Sequence, residues 1–358
     1  MTTVTGPNHP RRRTLLTGAF ALGAATVLPL GSAGAARAAG VPPIADCASW
    51  GARPASSPLT ILPRPPVKII VHHTATPNVT DLSQAQGFRL ARSMQNWAMD
   101  ERGWIDTGQH FSISRGAHIM EGRHSSLAEL QGGARTVESA HCTGQNTVAI
   151  GIENEGTYTS VDPRTEQYAA LVELCAHICR QYGLRAYQIY GHRDFNATEC
   201  PGDRLYALLP RLRRDVAARI GGDPAPPVWP LLRDGDTGDR VRALQHLLTG
   251  RGATLGTDGS FGPATEKAVR DFQTLVGATA DGFAGNQTWH QLVPPVRQND
   301  TGEAVEAVQL LLTARGVPTT ADGIFGPGTR TAVTGFQSTA GLPADGLVDA
   351  RTFSRLLG

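Results

Sequence analysis

Aromatic residues make up only 6% of the 358 positions, and charged residues only 18%. So little charge, beside 40% hydrophobic residues, excludes a wholly disordered chain and leaves ample apolar surface for packed cores. Neither sign of charge dominates: 33 Lys and Arg stand against 31 Asp and Glu, a formal net charge of +2. That balance excludes a nucleic-acid binder relying on a broad cationic face. Even the small excess is local. Residues 1–38 hold Arg11, Arg12, Arg13 and Arg37 with no acid, which leaves the remainder near −2. The composition also excludes a fibrous chain and a polytopic membrane protein. Cysteine is rare, with five in all, so at least one thiol is unpaired. What is present in quantity is glycine, at 41, and proline, at 24, which means many turns. The length predicts two or three domains.

The first 38 residues have the three parts of a secretory signal. Arg11-Arg12-Arg13 is followed by Leu15 and Leu16, a mildly apolar stretch reaches about Leu30, and Ala36-Arg37-Ala38 ends it. The paired arginines, with Leu15 and Leu16 just behind, resemble the twin-arginine type, used for export of folded proteins. Gly18, Gly23 and Pro29 dilute the apolar stretch below what a stable membrane span of roughly 20 apolar residues needs. The expectation is removal near Ala38 and a secreted, extracellular or wall-associated protein with no stable membrane span.

Three blocks follow. Residues 47–220 mix strand-like runs (67–71, 148–152, 187–190) with helical patterns. Residues 221–230, opening on Gly221-Gly222-Asp223-Pro224-Ala225-Pro226-Pro227, read as a semi-rigid linker because stacked prolines cannot join a helix. Residues 231–294 and 295–358 are a tandem duplication. Asp258-Gly259-Ser260-Phe261-Gly262-Pro263 returns as Asp322-Gly323-Ile324-Phe325-Gly326-Pro327, an offset of 64, and Phe272-Gln273 returns as Phe336-Gln337. Val241, Leu244, Leu247 and Leu248, like Val305, Val308, Leu311 and Leu312, have helical spacing. Each copy therefore reads as a small three-helix domain. With the paired leucines, the Asp-Gly-x-Phe-Gly-Pro-x-Thr run and the Phe-Gln pair, the copies resemble the peptidoglycan-binding domains appended to many wall hydrolases.

The residues that carry chemistry are in the middle block. Val67–Val71 is predicted to be a buried strand, and it leads into His72-His73-Thr74. A second candidate strand, Tyr187–Tyr190, leads into Gly191-His192-Arg193-Asp194, and Cys200-Pro201-Gly202 stands eight residues after His192. His72, His192 and Cys200 would make a His2Cys set for Zn2+, with the fourth tetrahedral position left for water as in catalytic sites. A histidine at such a strand end, taken alone, is more often a structural side chain. In Val148–Gly156, strand alternation puts Gly151, Glu153 and Glu155 on one face and Ile150 and Ile152 on the other. Two carboxylates beside a glycine suggest a cleft floor with a general base, although a solvated strand face would show the same pattern.

Taken together, these segments resemble the zinc-dependent N-acetylmuramoyl-L-alanine amidases that share a fold with peptidoglycan recognition proteins. The resemblance covers about 47–215. It rests on Ser49-Trp50-Gly51-Ala52-Arg53-Pro54, Val71-His72-His73-Thr74, Gly103-Trp104-Ile105-Asp106, Ala140-His141, Ile150-Gly151-Ile152-Glu153, and Gly191-His192-Arg193-Asp194 with Thr198-Glu199-Cys200-Pro201-Gly202. It implies an α/β fold, a mixed central sheet flanked by helices, ahead of the two three-helix domains. It also implies Zn2+ held by His72, His192 and Cys200, with His141, Gln109 and Trp104 near substrate. Many relatives place a tyrosine where this chain has Gln109, and a glutamine cannot donate a proton as a phenol does. Cell-wall-recycling relatives use instead a glutamate placed like Glu153, with a lysine where this chain has Thr198. The implied reaction is hydrolysis of the amide between N-acetylmuramic acid and L-alanine of peptidoglycan by zinc-activated water. In it Glu153 is the base, Glu155 the runner-up, and Thr198 and His141 stabilise the oxyanion. The protein is expected to be a monomer.

Three other readings compete. One is a non-catalytic binder of peptidoglycan or muropeptides, and one is a zinc hydrolase that cuts within the stem peptide. The third, a Cys142–His141 nucleophilic pair, suffers from the two being chain neighbours with no orienting partner. His73, His110, His118, His124 and His177 lack ligand spacing and read as structural or surface residues. Cys175 and Cys179 share one apolar helical face, where an i, i+4 pair is poorly placed for a mutual disulfide. Pairing with Cys47 and Cys142 and burial as free thiols both remain open.

Overall fold

A computed structural model describes residues 40–358. The expected export segment, 1–38, lies outside the described residues. Among the described residues no helix is long and apolar enough to cross a membrane.

The strands are β1 (Ile44–Ala45), β2 (Ile61–Leu62), β3 (Lys68–His73), β4 (Phe111–Ile113), β5 (Ile119–Glu121), β6 (Thr136–Val137), β7 (Ala149–Asn154) and β8 (Ile189–Gly191). Six of them form one mixed sheet in the order β1-β5-β4-β7-β3-β8, and β2 pairs with β6 in a separate antiparallel ribbon. β4, β7, β3 and β8 run parallel, and β5 turns antiparallel to β4. The apolar run at Val67 continues as strand to His73, so His72 and His73 lie inside β3 and not beyond it. The expected strand Tyr187–Tyr190 begins only at Ile189. Ala186–Gln188 is a tight helical turn, closed by the Gln188 side chain, which accepts from the Arg185 N–H.

The helices of this block are α1 (Cys47–Trp50), α2 (Gln84–Asn96), α3 (Ser126–Gly132), α4 (Thr165–Tyr182), α5 (Asp203–Ala207) and α6 (Leu209–Ile220). Alternation along the parallel strands turns Ile69, Val71, Ile150 and Ile152 onto Leu171, Leu174 and Ile178 of α4 and Leu212 and Val216 of α6. Each such fully buried aliphatic side chain contributes roughly 1.5–3 kcal/mol. With one face covered in this way, the side chains of the opposite face are free to be polar at the strand ends.

The duplicated segment forms α7 (Asp239–Thr249), α8 (Pro263–Val276) and α9 (Asn286–Leu292), then α10 (Glu303–Ala314), α11 (Pro327–Thr339) and α12 (Ala350–Leu357). Proline opens α8 and α11, where a missing N–H costs nothing. The duplication reaches the backbone bridges: Leu232 with Ala284 and Thr237 with Ser260 recur as Val296 with Val348 and Thr301 with Ile324. One apolar core runs through both copies, joining Val241, Leu244 and Leu248 of α7 to Val305, Val308 and Leu312 of α10. The repeats are thus fused side by side, not strung as separate beads.

Candidate metal centre

β3, β7 and β8 run parallel as neighbours, so their carboxyl ends meet at one edge, where open α/β sheets hold their ligands. Because Val71 and Ile152 face the α4 core, His72 and Glu153 face the other way, and the two are register partners on adjacent strands. β8 ends at Gly191, and His192 opens the turn just beyond it, which Asp194 closes by accepting the Gly191 N–H. Cys200 is brought back by two backbone bonds. Its N–H donates to Thr198 Oγ1 at 3.1 Å, and its carbonyl accepts from Arg193 N at 3.1 Å.

The ligating atoms of His72, His192 and Cys200 lie within 4.8 Å of one another. Each imidazole is oriented by its far nitrogen. His72 Nε2 lies 2.9 Å from His141 Nδ1, and His141 Nε2 lies 3.4 Å from the Ala149 carbonyl. That carbonyl can only accept, so His141 carries its hydrogen on Nε2 and His72 donates to it from Nε2. His192 Nε2 lies 2.9 Å from Asn196 Oδ1 and donates in the same manner. Both Nδ1 atoms keep a lone pair, and that of His72 is 3.6 Å from Cys200 Sγ. Gly151 makes room for the relay, because a Cβ there would come within 2.4 Å of His141 Cδ2.

Burial pushes His72 well below the usual histidine range, with His192 and His141 adding to it, and burial also lowers His192. Both rings are therefore held neutral, the form that binds metals. The Cys200 thiol is pushed up by burial and by the nearby Glu153, while the His73 N–H points at its sulfur from 3.4 Å. Burial raises the Glu153 carboxyl to about 8. Its Oε1 is 4.0 Å from His72 Nδ1, and its Oε2 is buried with no hydrogen-bond partner. Two neutral imidazoles, one thiol and an unpartnered carboxyl form a donor set that suits a divalent, borderline-soft cation such as Zn2+.

The remaining expected site residues are placed as follows. Glu155 is fully engaged elsewhere: Oε1 accepts from Gln86 at 2.8 Å and Oε2 from Arg115 N at 2.7 Å. Thr198 accepts from Cys200 N, which leaves its hydroxyl hydrogen free. His141 makes its side-chain contacts with His72, Ala149 and the edge of His110. Gln109 is buried and accepts from the Thr107 hydroxyl at 2.6 Å, with Met94 beside its amide. Trp104 stands edge-on to the exposed Trp97, with the Arg102 guanidinium 5.5 and 5.6 Å from the two rings.

All five cysteines are free: Cys47, Cys142, Cys175 and Cys179 are buried thiols. Of the other histidines, His73 accepts from Tyr158 N, His118 meets the Leu82 carbonyl, and His124 pairs with Asp106 at 2.8 Å. Two features were not anticipated from the sequence. Asn196, which orients His192, has no signal beyond its position four residues later. His246 on α7 lies 2.7 Å from Glu303 and 3.9 Å from Glu306 on α10, tying one repeat to the other.

Residues 62–203 match the family described as N-acetylmuramoyl-L-alanine amidase, and 237–292 and 301–356 match the putative peptidoglycan binding domain. A probable N-acetylmuramoyl-L-alanine amidase of Bacillus licheniformis is 28% identical over 341 residues, covering 81% of this chain and 92% of that protein. Peptidoglycan recognition protein 1 of Bos indicus is 33% identical, covering 47% of this chain and 88% of its own length. The human N-acetylmuramoyl-L-alanine amidase is 30% identical over 206 residues, which is 53% of this chain but only 34% of the human protein. The chain thus spans about a third of that relative.

Proposed function

Because the chain belongs to the N-acetylmuramoyl-L-alanine amidase family that includes the peptidoglycan recognition proteins, and carries two peptidoglycan-binding domains behind its amidase segment, we propose that it hydrolyses the amide joining N-acetylmuramic acid to L-alanine. The proposed enzyme works as a zinc-dependent monomer outside the cytoplasm, after loss of residues 1–38. The observation that carries this reading is the half-buried Glu153 carboxyl, its Oε2 without a hydrogen-bond partner, beside the His72, His192 and Cys200 set. A pure binder has no need for such a costly group.

His72, His192 and Cys200 would hold the metal, with His141 and Asn196 fixing the two rings. Zn2+ bound there supplies Lewis acidity, acidifying water and polarising a carbonyl. Glu153 takes the proton of the attacking water as its oxygen bonds to the carbonyl carbon. It returns that proton to the nitrogen as the carbon–nitrogen bond breaks, which releases a lactyl carboxylate and the amine of L-alanine. Thr198 has a hydroxyl hydrogen to donate to the carbonyl oxygen as it gains charge. His141 acts through His72 in this scheme.

Mass spectrometry of purified wall digested with and without chelator tests the proposal. The expected products are glycan with free lactyl carboxylates and stem peptides with new L-alanine N-termini, lost with chelator and restored by Zn2+. Fragments cut within the stem would make it a peptidase instead. Wall binding without soluble fragments would make it a non-catalytic binder.

A further inference from the structure

The first repeat packs against the loop that carries His192. Ala197 N donates to the Gly277 carbonyl at 3.1 Å, and Gln287 Nε2 donates to the Arg193 and Asn196 carbonyls at 2.9 and 3.1 Å. Gln291 is buried and reaches the Phe195 and Thr143 carbonyls, both at 3.3 Å, while Gln145 donates to its Oε1. Lys68 on β3 lies over the Phe195 ring and reaches the His290 carbonyl of α9. Buried amides and carbonyls that satisfy one another across a seam resemble a domain interior, since each left unpaired would destabilise the fold.

Asn196 is the centre of this seam. Its Nδ2 donates to the Val276 carbonyl of the repeat at 2.8 Å and to the Thr143 carbonyl at 3.2 Å. Those two acceptors settle which end of the amide points where, so Oδ1 must face His192 Nε2. The thiol of Cys142 also donates to Oδ1, at 3.2 Å. Without the Val276 carbonyl, one of the two bonds fixing the amide is gone.

The second repeat serves as an internal comparison. It keeps the Asp-Gly turns, the Phe-Gly-Pro run and the buried Gln337, but Gln287 and Gln291 are replaced by Arg351 and Arg355 at the offset of 64. Arg351 pairs with Asp223 and lies over Tyr187, and Asp349 accepts from the Tyr187 hydroxyl. The two copies therefore share their internal structure and differ where the first meets the metal-site loop.

We propose that the first peptidoglycan-binding repeat is part of the metal site's support, with Asn196 as the positioning residue that transmits its docking to His192. The proposal rests on the zinc reading of His72, His192 and Cys200. Removal of outer partners of metal-binding histidines typically weakens metal affinity about 10–100-fold.

The test uses the full chain as wild type, Asn196→Ala, Gln287→Leu, Gln291→Leu, and Asp349→Asn as a control in the second repeat. Zinc dissociation constants come from competition with a chromophoric chelator. The Co2+-loaded absorption spectrum reports ligand geometry, and melting of the metal-free protein reports folding. Asn196→Ala is expected to weaken zinc binding about 10–100-fold and to shift the Co2+ bands. The two glutamine variants should do so in the same direction by about 10-fold, and Asp349→Asn should leave both readouts unchanged. The proposal is overturned if the glutamine variants bind Zn2+ and Co2+ as the wild type does, even where they melt lower. It is also overturned if Asp349→Asn weakens zinc equally. Failure of the zinc reading looks different: Cys200→Ala would bind zinc with wild-type stoichiometry and affinity.

Discussion

Nε2 of His72 stands 2.9 Å from Nδ1 of His141, and the two rings meet edge to face with centroids 4.9 Å apart. His141 thus orients the ring of His72, and would present it to a metal in the proposed site; it lies where it does because residue 151 has no side chain. Gly151→Ala should drive the His141 ring away from His72. The expected outcome is about tenfold weaker zinc binding and a loss of about 1–3 kcal/mol from overpacking. Chelator competition and urea unfolding measure the two effects. Unchanged zinc affinity in Gly151→Ala and His141→Ala alike would show that His72 needs no such support.

Glu153 and Glu155 follow one another at alternate positions, yet of the two only Glu153 has an unpartnered carboxylate oxygen, and it stands beside His72. Glu153→Gln is therefore expected to keep zinc while kcat for release of L-alanine-terminated peptide falls about 10²–10⁴-fold. Glu155→Gln weakens the bonds to Gln86 and Arg115, so it should cost about 1–3 kcal/mol of stability with turnover largely kept. If the folded, zinc-loaded Glu155 variant is the inactive one, the proton belongs to Glu155.

What the sequence reveals here, and what it hides, follows from the range of the interactions. His72 and Glu153 were legible because they follow apolar, β-branched runs, and His192 because it follows a third candidate strand; parallel strands bring such ends together. The repeat was legible as an offset of 64, down to the recurring Gln273 and Gln337. Asn196 was not, since the carbonyls that give it meaning belong to Thr143 and Val276, far away in the chain. The shared core of the repeats was hidden for a related reason. Helical spacing shows that Val241 and Leu244 have an apolar face to cover, but not that Val305 and Val308 cover it. Gln109 and Trp104 came from family position alone, and their side chains meet Thr107 and Met94, and Trp97 and Arg102, respectively.

Gln245 and Gln309 are each buried at the centre of a repeat and hold the turn that follows. Gln245 accepts from Gly259 N and donates to Asp258, the Ser260 carbonyl and Thr265, and Gln309 does the same with Gly323, Asp322, Ile324 and Thr329. A leucine would leave those buried groups unpaired. Gln245→Leu is expected to cost about 1–3 kcal/mol or more. Because the core is continuous, calorimetry should show both repeats melting earlier in one transition. Separate transitions, with the second repeat at its wild-type temperature, would contradict the shared core.

His110 predicts how the protein responds to acid. The ring is fully buried, accepts from Gly151 N on Nδ1 at 3.0 Å and donates from Nε2 to the Val137 carbonyl at 2.9 Å. Burial pushes it down to about 4, partly opposed by the Val137 carbonyl and helped by Arg123, with His141 as its other ionisable neighbour. The unfolded chain takes up this proton near pH 6.5 and the folded one only near 4. Stability is therefore complete above 6.5 and falls as the pH drops towards 4, by about 3 kcal/mol from this residue. His72, His141 and His192 are lowered by burial as well, so the difference between the wild type and a His110 variant isolates the contribution of His110. In His110→Gln, an amide can accept from Gly151 and donate to Val137 without titrating. Urea unfolding between pH 6.5 and 4.5 should show a slope shallower by about 1.4 kcal/mol per pH unit in the variant. Equal slopes would mean that His110 is already protonated in the folded protein, and that Gly151 N has another partner.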